Sequence, residues 1–284
     1  MKLGLALSGG GIRGAVHIGV LKALEEQNIK IDIIGGTSSG SLVASLYAMG
    51  YSPMHIYQLF IRYGKAISNI NKRTILNEVG GYIVNRKFKI SGINDGKVIE
   101  EMYNNLAKKK NVYKIEDIKM PIAIPTVDLK NGKEYIFTNK KQVNSEYQKY
   151  IMDASIGTAV RASSSFPAVF CPYEYKNHIF LDGGTTDNIP VNEVFNLGAD
   201  KVITVKFEPI RINDKSNVMD IVMRTIDIMG NKIIEKELEK SDYILTIPTE
   251  NDIGLLDIDK IKDCYKCGYE TTINNIEKIK AIIC

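Results

Sequence analysis

Cysteine and histidine are scarce, at four and three residues out of 284, and they do not cluster. Cys264 and Cys267 sit in CYKC on an expected helix, but no second pair or nearby histidine completes a ligand set, so no metal centre is expected. A dense basic stripe is also missing: the net charge is +4, and only Lys108 to Lys110 form a run, which reads as a solvated helix end. That argues against a nucleic-acid partner. Long apolar runs are interrupted too. Ile33 to Ile61 contain no Asp, Glu, Lys or Arg, yet GGTSSGS and Pro53 break the stretch, whereas a membrane span is predominantly apolar over ~20 residues. Buried strand, turn and buried helix account for it, and no transmembrane segment is expected. The N-terminus opens as a short strand and a glycine loop rather than a long apolar helix, so the expected location is the reducing cytoplasm, at most peripheral to a membrane.

What is present is ordinary globular material, 44% hydrophobic and 25% charged, in a chain long enough to bury a substantial core. Strand patterns recur as KLGLAL, IDIIG, PIAIPTVDL, EYIFT, KVITVKF and YILTIP, separated mostly by helical periodicity as in VHIGVLKALEEQ and VIEEMYNNLAKK. This alternation predicts an α/β fold of three layers, α/β/α, with a central, mostly parallel sheet. Asn131-Gly132 between two strand patterns predicts one local hairpin. No repeat or low-complexity linker divides residues 1–284, which are expected to form a single domain. The segment 64–96 lacks clean periodicity and reads as a lid-like excursion over one edge.

The first strand runs into GGGIRG, which satisfies GxGxxG at Gly9, Gly11 and Gly14. A dinucleotide site would need an acidic residue at the end of the second strand, ~20 residues on, to bind ribose hydroxyls. Asp32 lies at the wrong end of that strand, and Glu25 and Glu26 come too early. The second strand ends instead in Gly36-Thr37-Ser38-Ser39-Gly40, a GxSxG pentapeptide ahead of a small-residue helix. In that context it matches a nucleophile elbow, with Ser38 exposed at a helix N-terminus whose dipole favours negative charge. Parallel neighbouring strands would bring the loop Gly9, Gly10, Gly11, Ile12, Arg13 and Gly14 against Ser38. Its amides could then form an oxyanion hole, with Arg13 fixing the loop, meeting an anionic substrate or making a surface ion pair.

A serine needs a base. His17 reads as a packed core residue, and His55 follows Ser52-Pro53 at a helix start with no feature suggesting chemistry. His178 precedes Asp182 and no histidine follows it, which disfavours an α/β-hydrolase triad and a malonyl-transferase-like reading. The aspartate remains. In IFLDGGTTDNIP an apolar strand delivers Asp182 to Gly183-Gly184, a turn that leads through Asn188 and Pro190 into a further helix.

The ordered set GGGIRG followed by His17, GTSSG, ASSSFPAVFCP at 162–172 and DGG with Asn188 and Pro190 resembles the patatin-like phospholipase family. The resemblance implies a Ser38 and Asp182 dyad, an oxyanion hole around Gly10 and Gly11, and hydrolysis of acyl esters in lipid or phospholipid at a membrane surface. It implies no metal and no cofactor. Transacylation, hydrolysis of a soluble ester, and a non-catalytic binding or regulatory protein on the same fold are the alternatives.

Overall fold

The computed structural model describes residues 1–68, 94–140, 149–167, 169–209, 218–248, 253 and 257–283. The first half of the chain forms β1 (Leu3–Leu7), α1 (Ala15–Glu26), β2 (Ile33–Gly36), α2 (Ser39–Ala48), α3 (Pro53–Ser68), α4 (Lys97–Lys108), β3 (Ile122–Asp128) and β4 (Glu134–Thr138). Next come β5 (Lys149–Ile151), α5 (Ile156–Ser163), β6 (Tyr173–Tyr175), β7 (His178–Asp182) and α6 (Val191–Asn196). The chain closes with β8 (Lys201–Phe207), α7 (Val218–Leu238), β9 (Tyr243–Ile247), α8 (Ile261–Asn274) and α9 (Ile276–Ile283).

The main path of the sheet runs β5, β4, β3, β2, β1, β8, β9, and five of its pairings are parallel. Helices cover both faces, and the two-residue side-chain period of the strands sorts their apolar residues between two cores. Leu3, Leu5 and Leu7 of β1, with Ile122 and Ile124 of β3 and Phe137 of β4, face the larger core beneath α1 to α5 and α8. Ala6, Ala123, Ile136 and Val202 face the smaller one, under α6 and Ile234 of α7. Strands buried on both faces read as nearly continuous apolar runs, which is why KLGLAL and KVITVKF are legible as interior strands.

Antiparallel pairing is more extensive than the single hairpin expected from Asn131-Gly132. That hairpin forms, with β3 antiparallel to β4, but β7 also pairs antiparallel with β3 and β6 with β7. Strands β5 and β6, three residues each, were too short to give a periodic signal. At the ends of the expected excursion, α3 continues through Gly64 to Ser68, and α4 begins just after Gly96. Residues 69–93 of that segment lie outside the described residues.

Helices α1 and α8 pack at backbone distance. A Cβ at Gly19 would collide with the Tyr265 carbonyl, and one at Gly268 with the Val16 carbonyl. Those two contacts set the relative register of the helices, so that α8 runs antiparallel to α1.

Candidate active site

The site forms where strand ends meet. β4 occupies one edge of β3 along Ala123–Val127, so β2 and β7 must share the other edge. β2 pairs there with Ile122 and Ala123, running parallel, and β7 pairs with Thr126 to Asp128, running antiparallel. The two strands therefore approach each other head-on, their ends separated by about two residues of β3. The chain leaving β2 is the GTSSG turn, and the residue ending β7 is Asp182. Residues 38 and 182, far apart in sequence, meet because one edge of β3 changes partner.

The turn at Ser38 is backbone-strained. Ser38 has φ 51° and ψ −121°, a positive φ that a side-chain-bearing residue rarely adopts and that surrounding structure must impose. Its amide donates to Ser163 Oγ of α5 at 3.0 Å, while the Thr37 amide donates to the Leu7 carbonyl and Thr37 Oγ1 to the Asp187 carbonyl. The flanking glycines are needed for closeness: a Cβ on Gly36 would strike the Gly40 carbonyl, and one on Gly40 the Leu7 carbonyl. Helix α2 starts at Ser39, so its N-terminal dipole points at the Ser38 side chain.

Asp182 is buried, at 2% exposure. Its amide donates to the Ser165 carbonyl, and its Oδ1 accepts the Gly184 amide at 2.8 Å. Burial pushes its carboxyl up to about 6, opposed by the neighbouring Ser38 hydroxyl and the Gly184 N–H. Ser38 lies near enough to oppose that rise, yet Oδ2 of Asp182 has no hydrogen-bond partner. Catalytic hydrogen bonds are often long in the absence of substrate. The DGG turn is close to its surroundings: a Cβ at Gly183 would meet the Pro125 carbonyl and lie 3.0 Å from Thr37 Cγ2.

The glycine loop lies opposite, and its members differ in role. The Gly9 amide is occupied by the Asn188 carbonyl, and a Cβ there would fall 2.6 Å from Asn188 Oδ1 and 3.1 Å from Ser38 Cβ. A 3₁₀ turn begins at Gly11, whose φ is 61°, and leads directly into α1. The first amides of such a turn have no partner within it, and Gly10, Gly11 and Ile12 line the cavity. Arg13 is buried, donates Nε to the Gly10 carbonyl at 3.3 Å and lies over the Phe207 ring, so it braces the loop. A Cβ at Gly14 would collide with Ser39, which makes that glycine a packing contact between loop and elbow.

No histidine lines the cavity. His17 is fully buried, held by burial down to about 4 and therefore neutral, and its Nε2 bonds the Ser8 carbonyl at 2.8 Å. It supports the strand end before the glycine loop. His178 bonds Asp128 at 2.9 Å and stacks on Phe180, while His55 is exposed beside Tyr51. Among the described residues no group of three or more metal-ligating side chains occurs. Cys264 is buried on α8, and Cys267 Sγ donates to the Pro248 carbonyl.

From this polar corner an apolar cavity opens. Its walls come from α2 (Leu42, Leu46), α3 (Phe60, Tyr63) and α4 (Met102), with Phe166 of the ASSSFP segment. Sequence reasoning did not identify these walls, nor Ser163 as the acceptor for the Ser38 amide. The small-to-large spacing of α2 and the amphipathic pattern of α4 were visible, but apolar residues facing a cavity look the same in sequence as those facing a core.

A family model described as patatin-like phospholipase matches residues 5–195, well over half of the chain. Among curated proteins, the chain is similar to lysophospholipase NTE1 of Kluyveromyces lactis, 26% identical over 293 residues that cover 94% of this chain and 18% of the relative. The lysophospholipase NTE1 of Saccharomyces cerevisiae is 25% identical over 294 residues, covering 94% of this chain and 16% of the relative. The chain thus spans less than a fifth of the length of these relatives. Among solved structures, VipD from Legionella pneumophila superposes with a TM-score of 0.51 at 13% identity, over 98% of this chain and 67% of that one. The type III effector protein ExoU superposes with a TM-score of 0.50 at 16% identity, over 98% and 53%. At such identities the structural likeness bears on the fold, a mostly parallel sheet flanked by helices.

Proposed function

The chain belongs to the patatin-like phospholipase family, and from that premise we propose that it is a serine lipid acyl hydrolase of phospholipase A type. Ser38 is the nucleophile and Asp182 its base. The observation that carries the reading is the pairing of a strained, helix-capping serine with a buried carboxyl raised to about 6, at the polar end of an apolar cavity.

The steps balance within these residues. Asp182 accepts the proton of Ser38 Oγ as the oxygen attacks the ester carbonyl, and the resulting oxyanion is held by the amides of Gly10, Gly11 and Ile12. The protonated Asp182 returns that proton to the departing alkoxide. Water then attacks the acyl-serine, giving its proton to Asp182, and collapse of the second tetrahedral intermediate regenerates Ser38 as the carboxylic acid leaves. An aspartate with an ordinary pKa of ~3.9 is a poor base for a hydroxyl, so the burial that raises Asp182 brings it nearer the working pH. The scheme calls on no metal or cofactor. Among the described residues no helix is long and apolar enough to cross a membrane. In this reading a lipid substrate is met at a membrane surface, from the cytoplasmic side.

A fluorophosphonate probe tests the assignment. Labelling is expected at Ser38, with Ser38→Ala abolishing both labelling and hydrolysis of phospholipid and lysophospholipid; a Ser38→Ala protein that still reacts would reject the site.

A further inference from the structure

We propose that the turn at Ile258 and Ile261, together with Gly64, forms the far wall of the acyl groove and sets the length of chain the protein accepts. The proposal deepens the hydrolase reading above and rests on it. Three observations describe the groove and this wall. Along α2 the cavity is lined at Leu42 and Leu46, and Leu46 lies eight residues past Ser38, or ~12 Å at 1.5 Å per residue. Along α1, the contacts of Gly19 with Tyr265 and of Gly268 with Val16 fix an antiparallel register that brings Ile261 level with residue 23, ~13 Å along the axis from Gly14 at the catalytic loop. On α3, Gly64 sits where a Cβ would fall 3.0 Å from Ile261 Cδ1 and 3.2 Å from Ile258 Cγ2, so the glycine lets the two isoleucines close against the helix.

All three residues line the cavity. Ile261 is fully buried, while Ile258 is half-buried at the edge of the core, where a substitution disturbs packing less. Ile258 and Ile261 also lie beyond residues 5–195, the part of the chain that the family model matches. The catalytic corner and Gly64 thus fall within the family match, while the two isoleucines that close the groove lie outside it.

The test uses the full-length protein with Ile258→Phe and Ile258→Ala, which change the wall in opposite directions. Displacement of a bound fluorescent fatty acid by octanoate and palmitate reads the groove without requiring turnover. Hydrolysis of p-nitrophenyl butyrate, octanoate and palmitate reads it through kcat/KM. The preference for palmitate over octanoate is expected to fall about tenfold or more in Ile258→Phe and to hold or rise in Ile258→Ala. Circular dichroism checks that both variants fold. Equal chain-length preference in all three proteins, by displacement, overturns the proposal even if hydrolysis depends on Ser38. Absence of Ser38-dependent hydrolysis with altered displacement rejects the hydrolase reading and leaves the groove assignment standing.

Discussion

The corner that holds Ser38 and the groove that leads away from it are built on opposite terms. At the corner, strand ends, helix starts and glycines approach so closely that a Cβ at Gly36, Gly40 or Gly183 would meet a carbonyl. Ser38 is held at a positive φ, and Asp182 is buried with one unpartnered oxygen. In the groove, helices present leucine, isoleucine and aromatic side chains. The corner tolerates almost no change of shape because its energy is tied to backbone contacts, whereas the groove can be resized one side chain at a time. In the proposed reading the first region fixes the chemistry and the second the choice of substrate.

The largest effect that would break this comparison is at Asp182. Asp182→Asn is expected to lower kcat/KM by roughly 10²–10⁴-fold, the usual contribution of a positioned base. It should also stabilise the fold at neutral pH. The folded carboxyl, at about 6, lies above its unfolded value of ~3.9, so the folded state favours the protonated form. The associated stability is therefore fully present below pH ~4 and is lost as pH rises through about 6. A shift of ~2 units corresponds to a cost on the order of 2–3 kcal/mol at pH 8. Asparagine keeps an acceptor for the Gly184 amide without the charge, so thermal melts should give a higher Tm than wild type at pH 8 and a vanishing difference near pH 4. A lower Tm at pH 8 would show that the carboxylate holds the corner together instead of straining it.

A smaller effect is expected at Ser163. Ser163→Ala removes the acceptor of the Ser38 amide, and an unpaired amide of that kind costs about 1–3 kcal/mol. Turnover is expected to fall roughly tenfold with little change in KM, because the elbow loosens while the groove is untouched. An effect confined to KM would place Ser163 in the groove and blur the distinction drawn here.

The corner was legible in the sequence and the groove was not, for a physical reason. GTSSG, GGGIRG and DGG need particular residues at particular spacings, since only glycine fits where backbones meet, and β1 and β2 could be read as parallel neighbours from their unbroken apolar runs. The route by which Asp182 reaches Ser38 was not legible. It depends on β7 taking over the edge of β3 where β2 stops, a partner change that leaves no mark in local pattern. Within the glycine loop, pattern alone could not separate Gly10 to Ile12 from Gly9, whose amide is already engaged, or from Arg13, which braces the turn. The walls contributed by Leu46, Phe60 and Ile258 escaped because an apolar side chain facing a cavity is indistinguishable in sequence from one facing a core.

The dyad itself is tested most directly by the pH dependence of Ser38 phosphonylation under a short-chain fluorophosphonate, read by intact-protein mass spectrometry. In the wild type the rate should climb with pH through an inflection at about 6, where Asp182 loses its proton and becomes a base, and Asp182→Asn should react slowly with no inflection there. A wild-type profile flat across that range, or an Asp182→Asn protein that reacts as fast as wild type, would contradict the assignment of Asp182 as the base for Ser38.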